Sequence, residues 1–384
     1  MTRTRKLNIL LYTDTDVPYG TFKVMIDLGT SLPSDAYQVA FCFANNLLLN
    51  KYREGLKGRG YEVYDTQIPN NRIDIRSAST FVALLREKRF DIVHFHLPNA
   101  VSCRFAVILA KTFGGSRIAL TEHLPGNFLL LPHTLKARLL RFAVNRAADR
   151  IIAVSDGVRE SLVRFQGVPE SKVQTIYNGI HNNGLRNLEH GWQLKSGLGI
   201  APTDKVVGVI AGLNRQKGHD VLLRAAKAVL SEMPDALFLM VGDGEKKEEL
   251  QSLAEQLSIQ GRIRFLGFRD DVSLLYDIID VVVLPSLYEG FPLVALEALE
   301  RGKALVATSV AGTTEIVKHL ETGLLVPTND AIALAKSIVL LLREDRLALR
   351  LGASGKAFVQ THFSIERMVA EYDRAYSLLC SRIR

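Results

Sequence analysis

A chain of 384 residues, 47% of them hydrophobic and 23% charged, is long enough for two domains, each burying its own core. It has no apolar run near the roughly 20 residues that span a bilayer, and Cys42, Cys103 and Cys380 are too few and too scattered for a disulfide framework or a cysteine-built metal site. The net charge of +8 is uneven: residues 1–190 hold 25 Lys and Arg against 16 Asp and Glu, and the remainder 23 against 24, so the basic half suits an anionic partner.

The start, MTRTRKLNILLY, is basic and then apolar in the manner of a signal peptide. Its apolar part is only about six residues long and includes Asn8, so it reads as a first strand, and the chain is expected to be cytoplasmic. In the first half the expected strands are LNILLY (7–12), QVAFCFA (38–44), YEVYDT (61–66), DIVHFH (91–96), RIALTEH (117–123), RIIAVS (150–155) and VQTIYN (173–178). In the second they are KVVGVIA (205–211), ALFLMVG (236–242), IRFLGF (263–268), VVVLP (281–285), ALVAT (304–308) and GLLVP (323–327). Most are continuously apolar, as in strands covered on both faces, and the helical patterns between them imply parallel βαβ winding.

That pattern lapses once, in the Asn- and Gly-rich stretch 178–199. The expected fold is therefore α/β, with two doubly wound Rossmann-like domains, 1–180 and 205–363, facing each other across a cleft and joined by a linker over 181–204. A last helix in 364–384 carries an apolar stripe at Ile365, Met368, Val369, Tyr372, Tyr376 and Leu379. Such a stripe must pack on something, and the first domain is its expected partner.

Ligands of doubly wound sheets bind beyond the carboxyl ends of the strands. Beyond VVVLP lies LPSLYEGFPLVALEALERG (284–302), where Glu289 and Glu297 stand eight positions apart across a Gly290-Phe291-Pro292 break. Proline favours the first helical position, so a helix is expected to begin near Pro292, its free N–H groups and positive dipole end suiting a phosphate. Ionised carboxylates only accept hydrogen bonds, and paired sugar hydroxyls are natural donors to them. The glutamates then bracket a sugar nucleotide; in the alternative, Glu289 merely favours the helix dipole and Glu297 is solvated.

In AGLNRQKGHDVLL (211–223), Arg215 and Lys217 stand just before a helix, the wrong end for cations unless an anion binds there. Asp14 and Asp16 in DTD have the Asp-x-Asp form that can hold a divalent metal on a diphosphate, or are simply a polar turn. They follow the first strand of the first domain, whereas the phosphate signals lie in the second. His94 and His96 are read as facing opposite ways, which excludes a paired-histidine metal face and leaves at most His96 toward the cleft. No G-x-G-x-x-G follows the first strand of either domain, which disfavours a dehydrogenase.

The stretch PSLYEGFPLVALEALERGKALVATSVAGTTEIVKHLETGLLVP resembles the signature of retaining glycosyltransferases of family 4, which have the GT-B fold. The resemblance extends to IYNGI (176–180), VGDG (241–244) and FLGFRDDVSLLYDIIDVVVLPS (265–286). It implies transfer of a sugar from a nucleoside diphosphate sugar to an acceptor hydroxyl, in glycan, glycolipid or polysaccharide biosynthesis, with no cofactor or metal. It assigns Glu289 to the donor sugar, Glu297 to the ribose, and the amides around Gly290, Phe291, Leu293 and Val294 to the phosphates. Phe268 stands where the family lines its base pocket, and His123 matches the histidine that reaches the donor sugar. Lys217 matches the family lysine; the family arginine position is Gly212 here, with Arg215 as its substitute. Gly20 matches the second glycine of the turn after strand one, and Tyr19 replaces the first.

The donor base (UDP, GDP or ADP), the sugar and the acceptor stay open. So do two other activities: a related enzyme acting on the sugar nucleotide itself, in the manner of an epimerase, and a non-catalytic binder. Nucleic acid is not an expected partner. In the basic half, FLLL (128–131) precedes a helical pattern over 134–149, with Arg138, Arg141, Asn145 and Asp149 on one polar stripe flanked by Leu135, Leu139 and Phe142. Arg146 and Arg150 lie beside it. The acceptor could thus be anionic or lipid-linked, with this helix resting on an anionic membrane.

Overall fold

The computed structural model describes residues 5–65, 74–99, 101–126, 135–182 and 188–381. The FLLL stretch and residue 134 lie outside them. The chain forms two compact units: Met1–Gly179 with Ile365–Arg384, and Ile180–Ser364.

The first unit is built on β1 (Leu7–Tyr12), β2 (Tyr37–Phe43), β3 (Glu62–Asp65), β4 (Ile92–Leu97), β5 (Arg117–Glu122), β6 (Arg150–Ala153) and β7 (Val173–Thr175). They form a parallel sheet in the order β3-β2-β1-β4-β5-β6-β7. The second unit holds β8 (Lys205–Ile210), β9 (Ala236–Val241), β10 (Ile263–Gly267), β11 (Val281–Leu284), β12 (Ala304–Thr308) and β13 (Leu324–Val326). Their order is β10-β9-β8-β11-β12-β13, again parallel throughout. Helices cross between successive strands, so both faces are covered; hence the unbroken apolar runs, with β9 buried at every position.

Each order reverses once, between β1 and β4 and between β8 and β11. Parallel sheets bind ligands at such a switch, since crossovers leave it on opposite sides. In the second unit the β8–β11 ladder registers only at Val281↔Val207 and Val282↔Gly208, so the carboxyl ends of both strands have parted from each other.

The stretch 181–204, expected to be a linker, carries a helix over Leu188–Gly197 that belongs to the second unit and packs on the helix Val272–Ile278. Its Gly191 faces that helix, where a Cβ would make only ordinary contacts with Asp277 and Ile278, at 3.6 and 3.8 Å. The C-terminal helix Ile365–Ser381 packs within the first unit, burying Ile365, Met368, Val369, Tyr372, Tyr376 and Leu379. Three polar contacts lock it there. Tyr37 donates to Asp373 at 2.5 Å, Tyr372 pairs with Thr121 at 3.0 Å, and Tyr376 pairs with His94 Nδ1 at 2.7 Å.

Candidate functional site

In the second unit, the loops leaving β8, β11 and β12 converge. The chain after β8 makes a tight turn, Arg215–Lys217, before the helix His219–Glu232. Gly218 closes that turn at φ +61°, and a Cβ on it would lie 2.1 Å from Pro285 O, so only glycine lets the β8 and β11 loops touch. They are then stitched together: Leu287 N–H donates to Gln216 O at 2.7 Å, and the Gln216 amide donates to Tyr288 O at 2.9 Å.

The stitching sets Lys217 Nζ 2.6 Å from Glu289 Oε1, while Ser286 Oγ donates to the same oxygen at 2.7 Å. Glu289 is only 4% exposed; the Lys217 side chain keeps 23%. Burial, with Glu289 adding to it, raises the Tyr288 hydroxyl pKa, and Arg215 lies near enough to oppose that rise. Arg215 is exposed and has no carboxylate partner among the described residues. A Cβ at Gly212 would meet only ordinary contacts, at 3.5 Å or more, and this position supplies no charge.

The β11 loop ends in the helix Leu293–Glu300, with Pro292 as its N-cap. The N–H groups of Leu293 and Val294 open that helix and have no intrahelical acceptor. Phe291 is anchored edge-on against Phe363 at 5.1 Å, so its side chain secures the loop. From β12, Gly312 at φ +77° lies against the Gly290–Phe291 peptide; a Cβ would stand 2.0 Å from Gly290 O. One turn into the helix, the buried Tyr276 hydroxyl donates to Glu297 Oε2 at 3.0 Å. Phe268 follows the edge strand β10, half-buried.

Immediately behind Lys217 sits His219, 1% exposed, neither ring nitrogen partnered among the described residues. Burial, with Lys217 adding to it, pushes its pKa down to about 4. It therefore stays neutral around Lys217 at ordinary pH.

In the first unit, Gly20 opens the helix Gly20–Ser31 after β1, and a Cβ there would meet nothing within 4 Å. No packing among the described residues requires glycine at 20. His123 follows β5. The reading that set His94 and His96 on opposite faces is wrong. A strand alternates every residue, so positions two apart share a face, and the rings lie 4.3 Å apart. His96 Nδ1 is 3.2 Å from His123 Nε2, and the two rings stack. His94 is held by Tyr376 and by Thr121 Oγ1, 2.7 Å each.

Burial drives the pKa of His94 and of His123 down to about 3 and that of His96 well below its ordinary value, so all three are neutral. One proton must then lie between His96 and His123. If His123 supplied it, His96 would carry its own on Nε2, which is buried with no acceptor among the described residues. Orphaned N–H groups are rarer than bare acceptors. The network thus assigns the proton to His96 Nδ1, leaving His123 to accept at Nε2 and carry its own proton on Nδ1.

Asp14 Oδ2 accepts the N–H of Cys103 at 2.6 Å, where Cys103 starts the helix Arg104–Phe113 at φ +55°. That carboxylate thus shapes the turn. Among the described residues no three His, Cys, Asp or Glu side chains converge as a metal-sized group.

Within the second unit the structure therefore brings together Lys217, Glu289, the helix start and the neighbourhood of Arg215. Glu297 lies on that same helix. Gly20 and His123 belong to the first unit. Sequence reasoning missed Ser286, Gln216 and Tyr276, which position the two glutamates and Lys217. The Ser three residues before Glu289 was the only local signal. Two cavities, of about 450 Å³ beside Leu194 and Arg269 and about 900 Å³ beside Arg53 and Arg76, are each confined to one unit; neither is lined by either glutamate.

Two parallel, doubly wound sheets, the second with a cation–carboxylate couple and an open helix N-terminus at its switch point, have the architecture of the GT-B fold. The model for "Glycosyl transferases group 1" matches residues 192–358, and that for "Glycosyltransferase Family 4" matches residues 19–183. The chain belongs to glycosyltransferase family 4.

It is 28% identical over 370 residues to the N-acetyl-alpha-D-glucosaminyl L-malate synthase of Bacillus anthracis, covering 93% of each chain. It is 26% identical to the UDP-Gal:alpha-D-GlcNAc-diphosphoundecaprenol alpha-1,3-galactosyltransferase of Escherichia coli, over 69% of this chain and 70% of the relative. The fold matches that of Anabaena Alr3699/HepE in complex with UDP and glucose, with a TM-score of 0.83 over 97% of this chain and 99% of that one, at 20% identity.

Proposed function

We propose that this glycosyltransferase moves a sugar from a nucleoside diphosphate sugar to a hydroxyl of an anionic acceptor, with retention at the anomeric carbon and no divalent metal. The observation that carries the reading is Lys217 seated on the buried Glu289, beside the open start of the helix Leu293–Glu300. A carboxylate that accepts sugar hydroxyls and a cation that meets a diphosphate must adjoin, because sugar and phosphate share one bond.

In this mechanism Lys217, Arg215 and the amides of Leu293 and Val294 stabilise the charge that develops on the departing diphosphate. Glu289 holds donor-sugar hydroxyls, Glu297 the ribose, and His123 offers its Nδ1–H to the donor sugar. Attack on the face the diphosphate leaves lets that leaving group take the acceptor's proton and keeps the anomeric configuration. Fixed cations and helix dipoles serve the diphosphate where other transferases use a metal ion.

An anionic acceptor fits the basic first half of the chain, and it fits two relatives by name. Malate carries carboxylates; the diphosphoundecaprenol acceptor carries a diphosphate. UDP is the first nucleotide to try, since it accompanies the Anabaena fold match, with GDP and ADP beside it.

Thermal-shift screening against these diphosphates and their sugars selects the donor, because ligands that bind the native state raise apparent stability. Proton NMR of the fresh product with carboxylate- and phosphate-bearing acceptors then reads the linkage. An α-linked product from an α-linked donor, formed in the presence of a chelator, supports the proposal. A β-linked product overturns retention, dependence on added Mn²⁺ overturns metal independence, and an altered free sugar without glycosylated acceptor marks an epimerase.

A further inference from the structure

The helix Leu135–Ala147 packs the opposite way round from an ordinary surface helix. Arg141 and Asn145, both on the expected polar stripe, are 7% exposed each, whereas Leu135, Leu139 and Phe142 are 71%, 60% and 64% exposed. The inversion has a local cause. Arg141 forms a buried ion pair with Glu122 at the end of β5, and its Nε donates to Gln166 at 2.6 Å; Asn145 reaches the same Gln166 oxygen. Asp149, beyond the helix, is engaged by Lys111 and by the N–H of Ile118. With its polar residues turned inward as anchors, the helix presents Leu135, Leu139, Phe142 and Ala143 to the outside. On a 100° wheel, Arg146 falls within that arc and Arg138 on its border.

We propose that this face docks the first unit onto an anionic lipid surface. Charge chooses the occupant. The segment LKARLLRFAVNRA contains no acidic residue, and neither Arg138 nor Arg146 has a carboxylate partner among the described residues. A second copy pairing through the same face would set one acid-free basic helix against another, a self-repelling arrangement in an isologous contact. A bilayer with anionic headgroups answers both features: acyl chains receive Leu135, Leu139 and Phe142, while the two guanidinium groups stay at headgroup level on their apolar stems.

Other exposed apolar residues lie at the same end of the sheet. Tyr19, Leu47 and Ile75 stand at the starts of helices that follow β1, β2 and β3, as Leu135 does after β5, and all are exposed. In a parallel sheet these positions share the carboxyl end, which is also the end that receives ligands. No described helix is long and apolar enough to cross a membrane, so the contact is peripheral.

Co-sedimentation of the full chain with phosphatidylcholine vesicles, with and without phosphatidylglycerol, tests this without reference to turnover. Binding should require phosphatidylglycerol and weaken as salt screens the arginines. Each cation near an anionic leaflet multiplies partitioning about fivefold, so Arg138→Glu with Arg146→Glu should lower it at least about 30-fold. Leu139→Asp with Phe142→Asp should abolish binding with Tm unchanged, since both positions are exposed. Leu349→Asp, at an exposed leucine of the second unit, should change nothing. No binding to phosphatidylglycerol vesicles, or binding unchanged in either double variant, overturns the proposal. So does a dimer in analytical ultracentrifugation that these substitutions dissolve, which would give the face to a second copy.

Discussion

Lys217 Nζ lies 2.6 Å from Glu289 Oε1, so the cation after β8 and the carboxylate after β11 form one coupled element. Removing either changes what the other faces. Lys217→Ala and Glu289→Gln should each lower kcat/KM about 10- to 150-fold, the scale of one charge-assisted hydrogen bond, with the fold intact. The double variant should lose much less than the product of the two, because neighbours in one network are not additive. A kinetic double-mutant cycle reads this directly, and strictly multiplicative losses would show the two acting separately.

The glycines divide into two kinds. Gly312→Ala would drive a Cβ to 2.0 Å from Gly290 O at a left-handed φ, and should destabilise the second unit by about 1–3 kcal/mol while disabling donor use. Gly20→Ala has open space around its new methyl, and should stay within about 0.5 kcal/mol of the parent. Urea unfolding separates them. If turnover also falls in Gly20→Ala, the glycine leaves room for a ligand; equal destabilisation of both variants would refute the distinction.

His96 acts on His123 as a positioning residue. With the proton on His96 Nδ1, the ¹⁵N spectrum of the parent should show His123 protonated at Nδ1. His96→Phe should release that tautomer and lower kcat about 2- to 10-fold, the scale of one neutral hydrogen bond, with KM little changed. His96→Gln, whose amide can still donate, should recover part of it. A His123 found protonated at Nε2 in the parent would reverse the assignment.

Acid should unfold the first unit. The folded pKa values of His94 and His123, about 3, lie below the unfolded value near 6.5, so between those limits the unfolded state binds more protons. Their contribution is complete above about pH 6.5 and is lost as pH falls toward 3, with a limiting slope of about 3 kcal/mol per pH unit for the pair. Urea midpoints recorded from pH 7 to pH 5 should drop steadily. A constant midpoint across that range would mean the rings are protonated without unfolding.

Much of this architecture was legible because its signals are local. Every expected strand appears within a few residues of its place, since a strand covered on both faces has to be apolar along its length. The stripe from Ile365 to Leu379 is buried as its period demanded, and Glu289 and Lys217 stand where loops leave adjacent strands. What was not legible depends on partners distant in sequence. Periodicity drew the stripe on Leu135–Ala147, but which side turns inward is decided by Glu122 and Gln166. The helix Leu188–Gly197 is concealed by Gly191 and Gly197, and its packing on Val272–Ile278 involves a partner about 80 residues further on. Tyr276 announces nothing until it reaches Glu297.

The first unit is closed by a helix that lies after the whole second unit in the chain. On a ribosome, residues 180–364 emerge as one uninterrupted stretch and can complete their sheet while the first unit still lacks its last piece. Until Tyr372 and Tyr376 are synthesised, Thr121 and His94 have only each other as partners, and the face the helix will cover stays open to water. The unit that begins the chain is therefore the one that finishes folding last. A message truncated after codon 364 would yield a sound second unit attached to an unfinished first one, a product that quality-control proteases can recognise by the apolar face the missing helix leaves uncovered.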